Sequence, residues 1–155
     1  MTNRSLAQTL ALVFGVALLG VGVLGFIPGI TTDLGDIKFA GNDSPSELLG
    51  IFQVSILHNI VHLLFGIAGV ALSRTTANAK MYLLYSGVIY VALFVFGVIV
   101  GTGDDNANFI PANGADDVLH LALAVGVLGS WWISKSSDER VGDRTATPPP
   151  APPAP

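Results

Sequence analysis

The run Ser55-Ile56-Leu57-His58-Asn59-Ile60-Val61-His62-Leu63-Leu64-Phe65-Gly66-Ile67-Ala68-Gly69-Val70-Ala71-Leu72-Ser73 decides the fold class. It holds no Asp, Glu, Lys or Arg, and neither does the longer stretch from Leu48 to Ser73 that contains it. A helix in water must show a polar face, whereas about 20 apolar residues rising about 1.5 Å each cross the ~30 Å hydrocarbon layer of a bilayer. Ser5 to Thr32, Met81 to Gly103 and Val118 to Ser134 are equally free of charge. Of the 155 residues, 51% are hydrophobic and only 12% charged, about half the charged share of an ordinary soluble domain. A water-soluble domain is therefore excluded. With no cysteine, so are a disulfide scaffold and a thiolate metal site. The fold expected is all-α and membrane-embedded: a bundle of four transmembrane helices, with spans at about 6–27, 48–73, 81–102 and 117–134.

The charges that remain set an orientation. Assigning span ends alternately to two compartments puts Arg4, Arg74, Lys80, Lys135, Arg140 and Arg144 on one side and Lys38 alone on the other. Basic residues accumulate on the cytoplasmic side, so both termini are expected there. Asp33, Asp36, Asp43, Glu47, Asp104, Asp105, Asp116 and Asp117 then fall in or beside the outer loops. A net charge of −4 gives no reason to expect nucleic acid as a partner. The apolar region from Leu6 to Ile27 exceeds the roughly 7–15 residues of a signal-peptide core and lacks an A-x-A-like cleavage site, so a permanent span is expected.

Local signals place the boundaries. Pro28-Gly29 stops the first helix. Ser44-Pro45-Ser46-Glu47 has the form of a capping box, with Pro at the first helical position, and predicts that the second helix starts there and stands above the bilayer. Arg74 to Lys80 reads as a cytoplasmic turn, and Asn113-Gly114-Ala115-Asp116 as a weaker cap before the fourth span. Trp131-Trp132 and Lys135 suit the inner interface. Residues 1–135 thus form the transmembrane domain, and the polar, then proline-rich stretch 136–155 is expected to be a disordered cytoplasmic tail of polyproline II character. A faint duplication pairs Phe26-Ile27-Pro28 with Phe109-Ile110-Pro111, and Asn59-Ile60-Val61-His62-Leu63 with Asp117-Val118-Leu119-His120-Leu121, although the spacing between the two elements differs greatly.

Helices associate in lipid through small residues and buried polar groups, and each span carries one such stripe. At 100° per residue, about the helical period, Ser55, His58, Asn59, His62, Gly66, Gly69 and Ser73 share a face. The first span offers Gln8, Ala11, Gly15, Gly22 and Gly25, the third Tyr82, Ser86, Tyr90, Gly97 and Gly101, and the fourth Asp117, His120, Ala124 and Trp131. Counting from the cytoplasmic ends brings His58, His62, His120 and Tyr90 to one depth, near or just outside the midplane. Three chemistries suit that layer. Its members can hydrogen-bond across helices, ligate a transition metal or haem through the imidazoles, or relay protons and bind quinone with Tyr90. His-x-x-x-His is a weak ligand motif, and no nucleophile elbow, phosphate loop or zincin motif is present.

Gly25-Phe26-Ile27-Pro28-Gly29-Ile30-Thr31-Thr32, the segment Leu49 to Gly66 and the later Phe109-Ile110-Pro111 and Asp117 to Leu121 resemble a domain-of-unknown-function family of small four-span membrane proteins, found mainly in high-GC Gram-positive bacteria. The resemblance covers about residues 5–134 and implies a bacterial inner-membrane location and four helices, with no activity or catalytic residue to transfer. The reading that results is a non-enzymatic structural or accessory subunit with a buried histidine layer, in contact with lipid and with a membrane-protein partner or further copies of itself. The competing reading is a small redox, metal or haem protein built on His58, His62 and His120.

Overall fold

The computed structural model describes residues 4–41, 43–100 and 113–145. It is a four-helix bundle: α1 (Leu6–Leu24), α2 (Ile56–Leu72), α3 (Thr76–Val100) and α4 (Gly114–Thr145). A single 3-10 turn (Leu34–Asp36) and a two-stranded antiparallel hairpin, β1 (Glu47–Leu48) and β2 (Phe52–Gln53), lie in the chain between α1 and α2. α1, α3 and α4 are long and apolar enough to cross a membrane, whereas α2, at 17 residues, is apolar but shorter.

The bundle is inverted relative to a soluble one. Val13, Val16, Leu64, Ile67, Val88, Val118 and Val125 are all more than half exposed, while Ser55, Asn59, Ser86 and His120 are buried. Apolar side chains facing out and polar ones facing in is what a hydrocarbon solvent selects, because an unpaired polar group is costly there. The chain is a membrane protein whose outer faces contact lipid.

The helices pack chiefly as α1 on α2 and α3 on α4, and the two pairs meet mainly through α1 and α3. Missing side chains set the closest approach. A Cβ on Gly15 would meet the backbone nitrogen of Val70 at 2.7 Å, and one on Gly69 would meet the Gly15 Cα at 2.7 Å. Gly22 and Gly66 are likewise filled by Leu63 and Leu19 of the facing helix. The small-residue stripes read from the sequence are thus the α1–α2 seam. Gly97 lies against Asp117 of α4, and Gly101 falls outside the described residues.

Both pairs repeat one pattern. The α1 positions Ala7, Ala11, Gly15 and Gly25 fall, in one unbroken register, on Ala79, Leu83, Gly87 and Gly97 of α3, and all eight are buried. On the second helix of each pair, Ser55, Asn59, His62 and Gly66 fall on Asn113, Asp117, His120 and Ala124 in another single register. Gly15 packs on Val70 and Gly87 on Leu128, and Gly25 meets Asn59 as Gly97 meets Asp117. The duplication hinted at around the histidines therefore extends over both helices. The mismatch in spacing lies in the connection, which carries the hairpin in the first half. Phe109-Ile110-Pro111 falls outside the described residues.

Three boundaries differ from expectation. The Ser44 capping box does not form, because its side chains are engaged elsewhere: Ser44 Oγ donates to the Val54 carbonyl at 2.7 Å and Ser46 Oγ to the Asp33 carbonyl at 2.9 Å. Leu49 and Gly50 adopt φ of 57° and 67°, which closes the hairpin and forbids a helix through it. The α2 helix starts instead at Ser55, whose Oγ accepts from the His58 N–H at 3.1 Å. The α3 helix starts at Thr76, inside the expected cytoplasmic turn, leaving only Ser73, Arg74 and Thr75 to connect it to α2. Finally, α4 runs to Thr145, so the first part of the segment expected to be disordered is helical, and the proline-rich end falls outside the described residues.

Candidate functional site

The three histidines and Tyr90 meet between α2, α3 and α4. Ser55 fixes the start of α2 and so sets His58 in its first turn and His62 one turn deeper, with ring centroids 4.5 Å apart. The Asn113 cap does the same for α4. Asn113 Oδ1 accepts from the N–H groups of Ala115 and Asp116 at 2.9 and 3.0 Å, and Asp116 Oδ2 accepts in return from the Asn113 N–H at 2.9 Å. His120, two turns further on, stacks on His58 with centroids 6.4 Å apart and planes at 17°. Tyr90 closes the layer, 6.0 Å from His120.

Asn59 belongs to the same turn but points the other way. It is fully buried, and its Nδ2 donates to the Gly25 carbonyl at 2.8 Å. That carbonyl is one of the unpaired acceptors at the end of α1, so Asn59 caps a neighbouring helix from the side. The Leu24 carbonyl is met in the same manner by Thr31 Oγ1 at 3.0 Å. Further hydrogen bonds between elements join Tyr82 OH to the Phe65 carbonyl at 3.2 Å and Gln8 Nε2 to the Arg74 carbonyl at 2.8 Å.

A cavity of about 160 Å³ opens beside the histidine layer. His58, His62, His120 and Tyr90 line it together with apolar side chains that include Phe65 and Leu93. Nδ1 of His62 and Nδ1 of His120 are buried without a hydrogen-bond partner. Among the described residues, no three His, Asp or Glu side chains are disposed to hold one metal ion. The space is close to the ~150 Å³ that holds a single benzene ring and far below what a haem macrocycle fills.

The sequence offers Asp116 as an outer-loop acid, as half of a cap and, with Asp117, as a carboxylate one turn above His120 that could orient its ring. In the structure it also ties the hairpin down. Its carboxylate is buried and accepts from the Gln53 N–H of β2 at 3.0 Å, while Asn113 Nδ2 donates to the Ile51 carbonyl at 2.7 Å. The hairpin is thereby fastened to the N-terminus of α4, where a negative side chain is also favoured by the helix dipole. The cavity's apolar walls carried no sequence signal, since Leu57, Val61 and Ile89 are typical of any span.

A family model described as Domain of unknown function (DUF4383) matches residues 8–133. No curated protein and no solved structure matches the chain.

Proposed function

Because the chain belongs to the DUF4383 family, whose description names no activity, we propose from the bundle itself that it is a non-enzymatic structural or accessory subunit of the bacterial cytoplasmic membrane. Both termini lie in the cytoplasm, and the buried histidine layer forms the polar core. One observation carries this reading: the fully buried Asn59 donates from Nδ2 to the Gly25 carbonyl and so ties α2 to the end of α1. Such bonds contribute on the order of 0.6–2 kcal/mol each in a membrane, enough to fix which helices pair. The lipid-facing surface of α1, α3 and α4 offers room for a membrane-protein partner or another copy of the chain.

The orientation rests on the basic residues. Arg4, Arg74, Lys80 and Lys135 all flank the same end of the bundle, which the Gln8 contact to the Arg74 carbonyl draws together. A reporter fused after Pro155 is expected to be active only in its cytoplasmic form, and activity confined to the outside would overturn the topology. Visible spectroscopy and metal analysis of the detergent-purified protein test the structural role. A colourless, metal-free, folded protein is expected. A Soret band or a stoichiometric metal lost on His62→Ala would establish the redox or metal reading with His58, His62 and His120 as ligands.

A further inference from the structure

We propose that the tip of the β1–β2 hairpin and the neighbouring Phe39 form a lipid-binding surface, with Leu49, Ile51 and Phe39 set among the acyl chains at the edge of the leaflet where α2 begins.

The α2 helix is too short to cross the bilayer alone. Its 17 residues rise about 26 Å against a hydrocarbon layer of ~30 Å, and any tilt shortens that reach. The charge-free stretch that contains α2 nevertheless starts at Leu48, well before the cap at Ser55. The missing depth therefore falls to the hairpin and to the loop strand beside it. Both are fixed at the level where helices start. Asn113 Nδ2, at the cap of α4, donates to the Ile51 carbonyl at 2.7 Å, and the Leu57 N–H in the first turn of α2 donates to the Phe39 carbonyl at 2.9 Å.

The backbone there is prepared for a place with little water. The N–H groups of Ile56, Leu57 and His58 have no partner within a helix that starts at Ser55. Ile56 donates instead to the Lys38 carbonyl at 3.0 Å, Leu57 to that of Phe39, and His58 to Ser55 Oγ at 3.1 Å. At the hairpin tip, the Leu49 N–H donates to the Ile30 carbonyl at 2.8 Å, that of Gly50 to Glu47 at 3.3 Å and that of Ile51 to Leu48 at 3.2 Å. Non-helical backbone can approach hydrocarbon only when its polar groups are met inside the protein. The side chains agree, because Leu49, Ile51 and Phe39 are each more than half exposed, although they lie in a connection and not on a helix. They extend the lipid-facing surface of α4, which already begins at Val118, within two turns of the Asn113 cap. Glu47 at the base of the hairpin and Lys38 beside Phe39 place charge at the headgroups, which the long Lys38 stem can reach. The proposal rests on the membrane reading of the bundle and is independent of its orientation and partners.

The test uses the full chain in vesicles of phosphatidylcholine and phosphatidylglycerol. It has no cysteine, so Leu49→Cys, Ile51→Cys and Phe39→Cys each introduce a single site for a nitroxide label. Relaxation of the label by oxygen, which concentrates in the acyl layer, is compared with relaxation by a water-soluble nickel chelate. Oxygen should act more strongly at all three sites, as at Val125→Cys on the lipid face of α4, whereas the exposed Asp36→Cys should show the opposite order. A bilayer thinned to fit α2 would leave the tip in water. Stronger relaxation by the chelate at any of the three sites, or protection from both reagents by a protein contact, would therefore overturn the proposal. The unsubstituted chain in lipid nanodiscs decides the matter if a labelled variant does not fold. Its Leu49 and Ile51 methyl groups should show NOEs to acyl methylene protons, and NOEs to water alone would overturn the proposal. A Val125 label relaxed mainly by the chelate would instead overturn the membrane reading.

Discussion

Asn59 sits where Gly25 has no side chain, and its amide closes on the Gly25 carbonyl at 2.8 Å. A Cβ at that glycine would occupy the space of the Asn59 carboxamide. Gly25→Ala must therefore push α2 away or expel Asn59 from its bond. The expected loss is about 2–3 kcal/mol, an overpacking cost joined to an unpaired buried carbonyl. Thermal or SDS-titrated unfolding in detergent measures it, and a variant as stable as the native chain would show that the contact is not tight.

Glycines along α1 should divide into two kinds. Gly15 touches the backbone of Val70, which cannot give way as a flexible side chain would, so Gly15→Ala should cost about 1–3 kcal/mol and loosen the α1–α2 seam. Gly20 has nothing within 4 Å of where its Cβ would be. Gly20→Ala should instead stabilise by about 0.5–1 kcal/mol, because alanine is the better helix former. Opposite shifts in melting temperature are the expected outcome.

Which of these relationships the sequence discloses depends on how local they are. The stripe of Ser55, Asn59, Gly66 and Gly69 follows from helical periodicity alone and is buried in the bundle. The cap at Asn113 is likewise local and forms as its residue types suggest. The Ser44 box looks stronger on paper, yet Ser44 and Ser46 bind the Val54 and Asp33 carbonyls, partners that only the folded loop brings within reach. Local propensity lost there to tertiary hydrogen bonds and to the left-handed Leu49-Gly50 turn. The convergence of His58 with His120 lay beyond sequence reasoning for a different reason: each span reveals its own polar face, whereas the order of helices around the bundle depends on every pair at once. The sequence shows the repeat at the two Phe-Ile-Pro segments and around the histidines but not along α1 and α3, because the glycines that match there, Gly15 with Gly87 and Gly25 with Gly97, lie in segments of otherwise interchangeable apolar residues.

Asp116 should act as the fastener of the outer hairpin. Asp116→Ala removes the acceptor for both the Gln53 and the Asn113 N–H groups, and a lost cap costs about 1 kcal/mol or more. The distinctive result is local. Hydrogen exchange at the Gln53 amide should accelerate well beyond that of α1 amides, while a uniform increase across the bundle would mean that Asp116 supports the whole fold.

The repeat predicts opposite signs for a pair of exchanges between the halves. Asp117 occupies against Gly97 the position that Asn59 occupies against Gly25, but Asp117 Oδ1 is buried without a hydrogen-bond partner. Asp117→Asn replaces that acceptor with a donor able to reach the Gly97 carbonyl in the geometry that Asn59 already uses. It should stabilise the bundle by about 1 kcal/mol, the net worth of one hydrogen bond gained. Asn59→Asp does the reverse, removing the donor from the Gly25 carbonyl and setting two acceptors against each other, and should cost about 1–3 kcal/mol. Melting temperatures of the two single variants in the same detergent decide the matter. If Asp117→Asn is destabilising to the same degree as Asn59→Asp, the two positions are not equivalent, and the correspondence between α1–α2 and α3–α4 is one of helix packing only.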